Sequence, residues 1–149
     1  MNELLAVKEL LDEKYFQFNN TTFIETDPIS IPHQFSKKED IEIASLLVAT
    51  IAWGQRISII NNGNKLMRLM NDEPHDFILN FSKKDAARFE GFVHRTFNSI
   101  DCVFFLNSLK HIYTKHGGLE AAFSTDFSSK ETDVKNAITN FRALFLGQR

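Results

Sequence analysis

Between Glu39 and Trp53 the chain carries apolar residues on every helical face, and this run constrains the fold more than any other stretch. Ile41, Ala44, Leu47, Val48 and Ile51 recur at three- and four-residue spacing, the period of one helix face. Ile43, Leu46, Ala49 and Ala52 fill the remaining faces, so the spacing predicts a central helix buried all round. Ser36 followed by Glu39 has the pattern of a capping box at its start, and Gly54 is expected to end it in a left-handed turn.

A helix of that kind needs other helices to cover it, and the flanking sequence supplies them. Asn2 is expected to cap a first helix, fraying near Asn19, with Leu4, Val7, Leu11 and Tyr15 as its stripe. From Asn20 to Phe35, Pro28 and Pro32 argue for an ordered loop rather than a regular helix, and Phe23 to Ile31 is the one weak hint of a strand. A helix from about Ile57 to Met70 follows, with Gly63 in its middle. A glycine there costs about 1 kcal/mol against alanine, which a close helix contact would explain. Glu73-Pro74 reads as a helix start, Ser82 with Asp85 as the start of another that Gly91 stops, and Asn98 or Ser99 as the cap of a long helix closed by Gly117-Gly118. Thr132 to Leu146 forms the last helix, with Val134, Ala137, Ile138, Phe141, Leu144 and Phe145 inward. The reading is an all-α, multi-helix orthogonal bundle, a single helical domain over residues 1–149.

Composition excludes several function classes. One cysteine, Cys102, allows no intramolecular disulfide and no paired thiolates for structural zinc, and no apolar run reaches the roughly 20 residues needed to span a bilayer, which together point to the cytoplasm. Residues 1–53 carry four Lys and Arg against nine Asp and Glu, whereas residues 54–116 carry nine against six. The middle third is mildly basic, but an isoelectric point near 6.2 is far from that of a dedicated nucleic-acid binder.

The chemistry-bearing residues are scattered. His111 and His116, five apart, are expected on different helix faces, and His33, His75 and His94 lie in separate segments, so no metal site and no cofactor is expected. Asp72, Glu73 and Asp76 around His75 read as acids favoured by a helix start. Cys102, among Val103, Phe104 and Phe105, reads as an inert core thiol. No glycine-rich phosphate loop is present. At Trp53-Gly54-Gln55-Arg56 two readings stand. Arg56 grips a phosphate and Gln55 reaches into a base stack, or the run is a plain helix terminus with Arg56 paired to Asp27 or Asp40.

Asp27-Pro28, His33-Gln34-Phe35, Asp40-Ile41-Glu42-Ile43, Trp53-Gly54-Gln55-Arg56, Gly91-Phe92-Val93-His94-Arg95 and Gly117-Gly118-Leu119-Glu120-Ala121-Ala122-Phe123 occur in that order. This set strongly resembles a bacterial family of conserved hypothetical proteins known only as a domain of unknown function. That family is in turn distantly similar to the helix-hairpin-helix DNA glycosylase superfamily, whose members place a glutamine equivalent to Gln55 at the space left by a flipped base. The resemblance implies a glycosylase-like helical scaffold and DNA as partner. Candidate contacts are Gln55, Arg56, Lys65, Arg68, Arg88 and Arg95. The glycine-rich hairpin and catalytic aspartate of those enzymes have no counterpart here. The resemblance thus implies the amino-terminal portion of a longer protein, with no catalysis from these residues and self-association through uncovered apolar residues such as Phe141 and Phe145. A non-catalytic protein-interaction domain, or a base-excision enzyme whose catalytic half lies elsewhere, are the alternatives it leaves.

Overall fold

A computed structural model of the chain describes residues 2–125, 127 and 133–147. The cap expected from the Asn2 side chain lies outside what it describes, as does Thr132, but Asp133 and Val134 are not helical and the last helix starts at Lys135, later than expected. The fold is all-α apart from one minimal hairpin.

Helix α1 (Asn2–Phe18) is followed by a four-residue helix, α2 (Thr22–Glu25), and by two 3-10 turns, Pro28–Ser30 and Pro32–Gln34. Each 3-10 turn begins on its proline, whose fixed φ suits a first helical position. The weak strand hint at Phe23 to Ile31 is thereby corrected: local i to i+3 bonding, with Asp27 accepting from the Ile29 N–H at 3.0 Å, takes the backbone groups a strand would have used.

Helix α3 (Lys38–Thr50) is the centre of the fold, packing on the 3-10 turns and on the helices introduced below as α4, α5 and α7. Ile43, Ala44, Leu47, Val48 and the following Ile51 are buried as expected. Two expectations fail. The helix is not buried all round, because Ser45, Ala49 and Ala52 form an exposed strip. Nor does Ser36 cap it, since Lys37 is the N-cap and makes no side-chain capping bond.

Helix α4 (Arg56–Leu69) crosses α3 and the first 3-10 turn at Gly63. A Cβ built there would stand 2.4 Å from Ile31 Cδ1 and 3.2 Å from Val48 Cγ2. The close contact that the glycine implied is therefore real. Helix α5 (Pro74–Asn80) is short, and both of its ends are closed by other helices. Asp40 of α3 accepts from the His75 N–H at 2.8 Å, and Lys110 donates to the Phe81 carbonyl at 2.7 Å. The neighbouring acids do not cap it: Glu73 is the N-cap residue and makes no capping bond.

A 3-10 turn at Asp85–Phe89 leads to the hairpin β1 (Val93–His94) and β2 (Phe97–Asn98), which the sequence reading missed. Two residues per strand are too few to show alternation. Helix α6 (Ser99–Lys115) starts with a complete capping box: Asn98 Oδ1 accepts from Ile100 N–H at 2.8 Å and Asp101 Oδ2 from Asn98 N–H at 2.9 Å. It ends at Gly117 and Gly118, both at positive φ. Helix α7 (Leu119–Ser124) follows at once, and α8 (Lys135–Leu146) packs across α6 and α7. There Ser108 Oγ donates to the Phe145 carbonyl at 2.9 Å, and the Phe123 and Phe141 rings stack 3.9 Å apart.

The core is a contiguous cluster running from Ile31 to Phe145, and no residue of α1 enters it. The Leu4, Val7, Leu11 and Tyr15 stripe of α1 is exposed. Among the described residues no helix is long and apolar enough to cross a membrane.

Candidate nucleic-acid interface

The link between α3 and α4 is held by residues far away in sequence. His94 is 3% exposed, and its ring bridges two elements. Nε2 lies 3.1 Å from the Trp53 carbonyl oxygen and Nδ1 lies 2.9 Å from Asn62 Nδ2. A carbonyl only accepts, so Nε2 carries the proton and Nδ1 accepts from the Asn62 amide. That bond fixes the peptide after Trp53, whose indole is 40% exposed and meets the His94 ring edge-on at 6.2 Å.

Arg95 follows at φ 57°, in the left-handed region. Its guanidinium lies over the Trp53 ring, 5.0 Å from the centroid, and against Gly54. Gly54 itself has φ 111°, and a Cβ there would stand 3.0 Å from Arg95 Nη1, so this position needs glycine for both conformation and space. Gln55 is the exposed N-cap of α4 and makes no side-chain capping bond. Arg56 comes within 4.0 Å of Asp27 Oδ2 and lies 5.8 Å over the Phe23 ring. The pairing with Asp27 is thus the one the structure makes.

From this turn the segment 88–95 runs antiparallel beside α4. Gly54 meets Arg95, Asn62 meets His94, Lys65 lies 5.5 Å over the Phe92 ring, and Asn71 accepts from Arg88 at 2.6 Å. Arg88 also covers the Phe77 ring at 5.1 Å. Arg68, three residues from Lys65, is on the same exposed side of α4. The six residues singled out in the sequence therefore do not form one pocket. Five of them, all but Arg56, mark an edge that follows the 14-residue helix for about 21 Å at the usual rise per residue. Gln55 and Arg95 stand at one end, Lys65 and Arg68 between, and Arg88 at the other, whereas Arg56, nine residues and half a turn round from Lys65, faces Asp27 and Phe23 instead.

The charge along this edge is one-sided. No Asp or Glu occurs from Ile43 to Asn71, and α4 carries three bases. Glu90, exposed in the return segment, is the acid that interrupts it. His94 and Asn62 are the positioning residues that sequence reasoning passed over. Their contacts join residues 32 and 41 positions apart, and no local pattern marks them.

Cys102 and Tyr113 are held in the packed interior. Burial pushes the Cys102 thiol up to about 12, which keeps it protonated and inert. Burial, and then its bond to Glu42 at 2.8 Å, raise the Tyr113 hydroxyl. No group of three or more metal-ligating side chains is gathered among the described residues. The expected separation of His111 and His116 is wrong, however: their Nε2 atoms lie 3.0 Å apart.

These features define an all-α chain with a basic edge along α4. The chain matches the family described as protein of unknown function (DUF2400) over residues 27–149, and it belongs to that family. No curated protein and no solved structure matches it.

Proposed function

We propose that this domain binds DNA along the edge formed by α4 and residues 88–95, on a scaffold similar to that of the helix-hairpin-helix glycosylases. The observation that carries the reading is the antiparallel run of 88–95 beside a helix with no acid, which lines Arg95, Lys65, Arg68 and Arg88 along one side. Phosphates attract such a line, and the counterions they release make binding fall steeply with salt. At the α4 start, the Trp53–Arg95 pair and the free Gln55 amide offer stacking and hydrogen bonding to bases.

Fluorescence anisotropy with duplex, mismatched and single-stranded oligonucleotides across a salt series tests this. Lys65→Ala, Arg68→Ala and Arg95→Ala should each weaken binding and lower the salt slope by about one. Absence of binding at low ionic strength would refute the proposal.

A second reading has its own observation. Phe123, Ile138, Phe141 and Phe145, with Leu46 and Phe105, line an apolar groove beside α8, and α1 exposes an apolar stripe. Surfaces of this kind favour association with a second copy of the chain.

A further inference from the structure

We infer that His111 and His116 form a binding site for a divalent transition-metal ion, Cu²⁺ or Ni²⁺ rather than Zn²⁺, at the carboxyl end of α6. Residues five apart on a continuous helix diverge by well over a right angle, so the pairing arises from how the helix stops. His116 is the C-cap, with φ −127° and ψ 10°, already off the helical path. Its N–H and that of Gly118 both bond to the Ile112 carbonyl, at 2.9 and 3.4 Å, and Gly117 turns at φ 75°. This closure brings the exposed His116 ring back over the half-buried His111, with centroids 4.9 Å apart.

Both Nε2 atoms thus face one point from a backbone fixed before any ligand arrives. Two metal–nitrogen bonds of about 2.0–2.1 Å span the 3.0 Å separation at an angle of roughly 95°. That bite suits neighbouring positions of a tetragonal or octahedral ion and is narrow for tetrahedral zinc. The aligned carbonyls of the last turn place partial negative charge at the same end of the helix, which favours a cation. Thr114 Oγ1 is engaged with the Lys110 and His111 carbonyls at 2.7 and 3.3 Å, which leaves the two imidazoles as the protein ligands and the other coordination positions to solvent. When the ion binds, the proton between the two Nε2 atoms passes through solvent to the Nδ1 of its own ring, so that both neutral imidazoles carry their hydrogen on Nδ1 and offer Nε2 to the metal.

Isothermal titration of the tag-free, chelator-stripped chain with nickel chloride, and separately with zinc chloride, tests the site. One equivalent of Ni²⁺ should bind, more tightly than Zn²⁺. His111→Asn and His116→Ala should each weaken it about tenfold or more, since even partners one shell further out are worth that much. His33→Ala, at an exposed histidine in another element, should leave it unchanged. His116 is exposed, and far-ultraviolet circular dichroism of His116→Ala separates lost binding from lost folding. Absent binding, zinc bound as tightly as nickel, or nickel binding that survives loss of both histidines overturns the inference.

Discussion

Gly63 shows how one residue joins sequence to packing. Alanine is the better helix former by about 1 kcal/mol, yet a methyl group would press on Ile31 Cδ1 and Val48 Cγ2. Ile31 is fully buried and has no space to yield into, and overpacking of this kind costs about 1–3 kcal/mol. The second term is the larger, so Gly63→Ala should lower stability by roughly 1 kcal/mol, read as a lower urea midpoint at unchanged slope. An unchanged or higher midpoint would mean that Ile31 can move aside. His94 teaches a related lesson. Its sequence neighbours say nothing of its task, because both partners come from the α3–α4 region, more than thirty residues earlier.

At the scale of elements, capping separates what is local from what is not. The α6 start is local: Asn98 and Asp101 satisfy each other's backbone, and the sequence shows it. Asn98→Ala should cost about 1 kcal/mol, visible as a drop in Tm by circular dichroism, whereas Ser36→Ala, at the capping box that does not form, should leave Tm nearly unchanged. Equal drops for the two would contradict the assignment. Helix α5 is the opposite case. Acids stand beside its start, but Asp40 from α3 makes the bond and Lys110 from α6 closes the other end. A seven-residue helix is marginal alone, so α5 exists because α3 and α6 hold both ends.

For the whole molecule, α1 and the α8 groove dominate. Leu4, Leu11 and Phe16 of α1 are exposed, and the groove beside α8 is lined by phenylalanines. We expect reversible self-association, with sedimentation coefficients that rise with concentration. Leu11→Glu should reduce it without lowering Tm, because α1 adds nothing to the buried cluster. A concentration-independent monomer would remove this second reading and leave the nucleic-acid proposal standing.

The longer helices and several of their ends came from the sequence by itself, because periodicity, proline at first positions and terminating glycine act within a few residues, whereas the short α2 and α7 did not. Pro74, Gly91, Asn98 and the Gly117-Gly118 pair all lie where local rules put them. The glycine at 63 even announced a close contact. Tertiary structure alone decided the rest. It chose which face of α3 stayed exposed, left α1 uncovered, and turned His94 inward under Trp53. It also folded His116 back over His111, and laid residues 88–95 along α4 so that bases from Lys65 to Arg95 share one edge. The physical reason is common to all of these. A helix pattern records that a side chain is apolar or polar, whereas contacts between distant segments depend on how packed helices cross, and no local pattern encodes that.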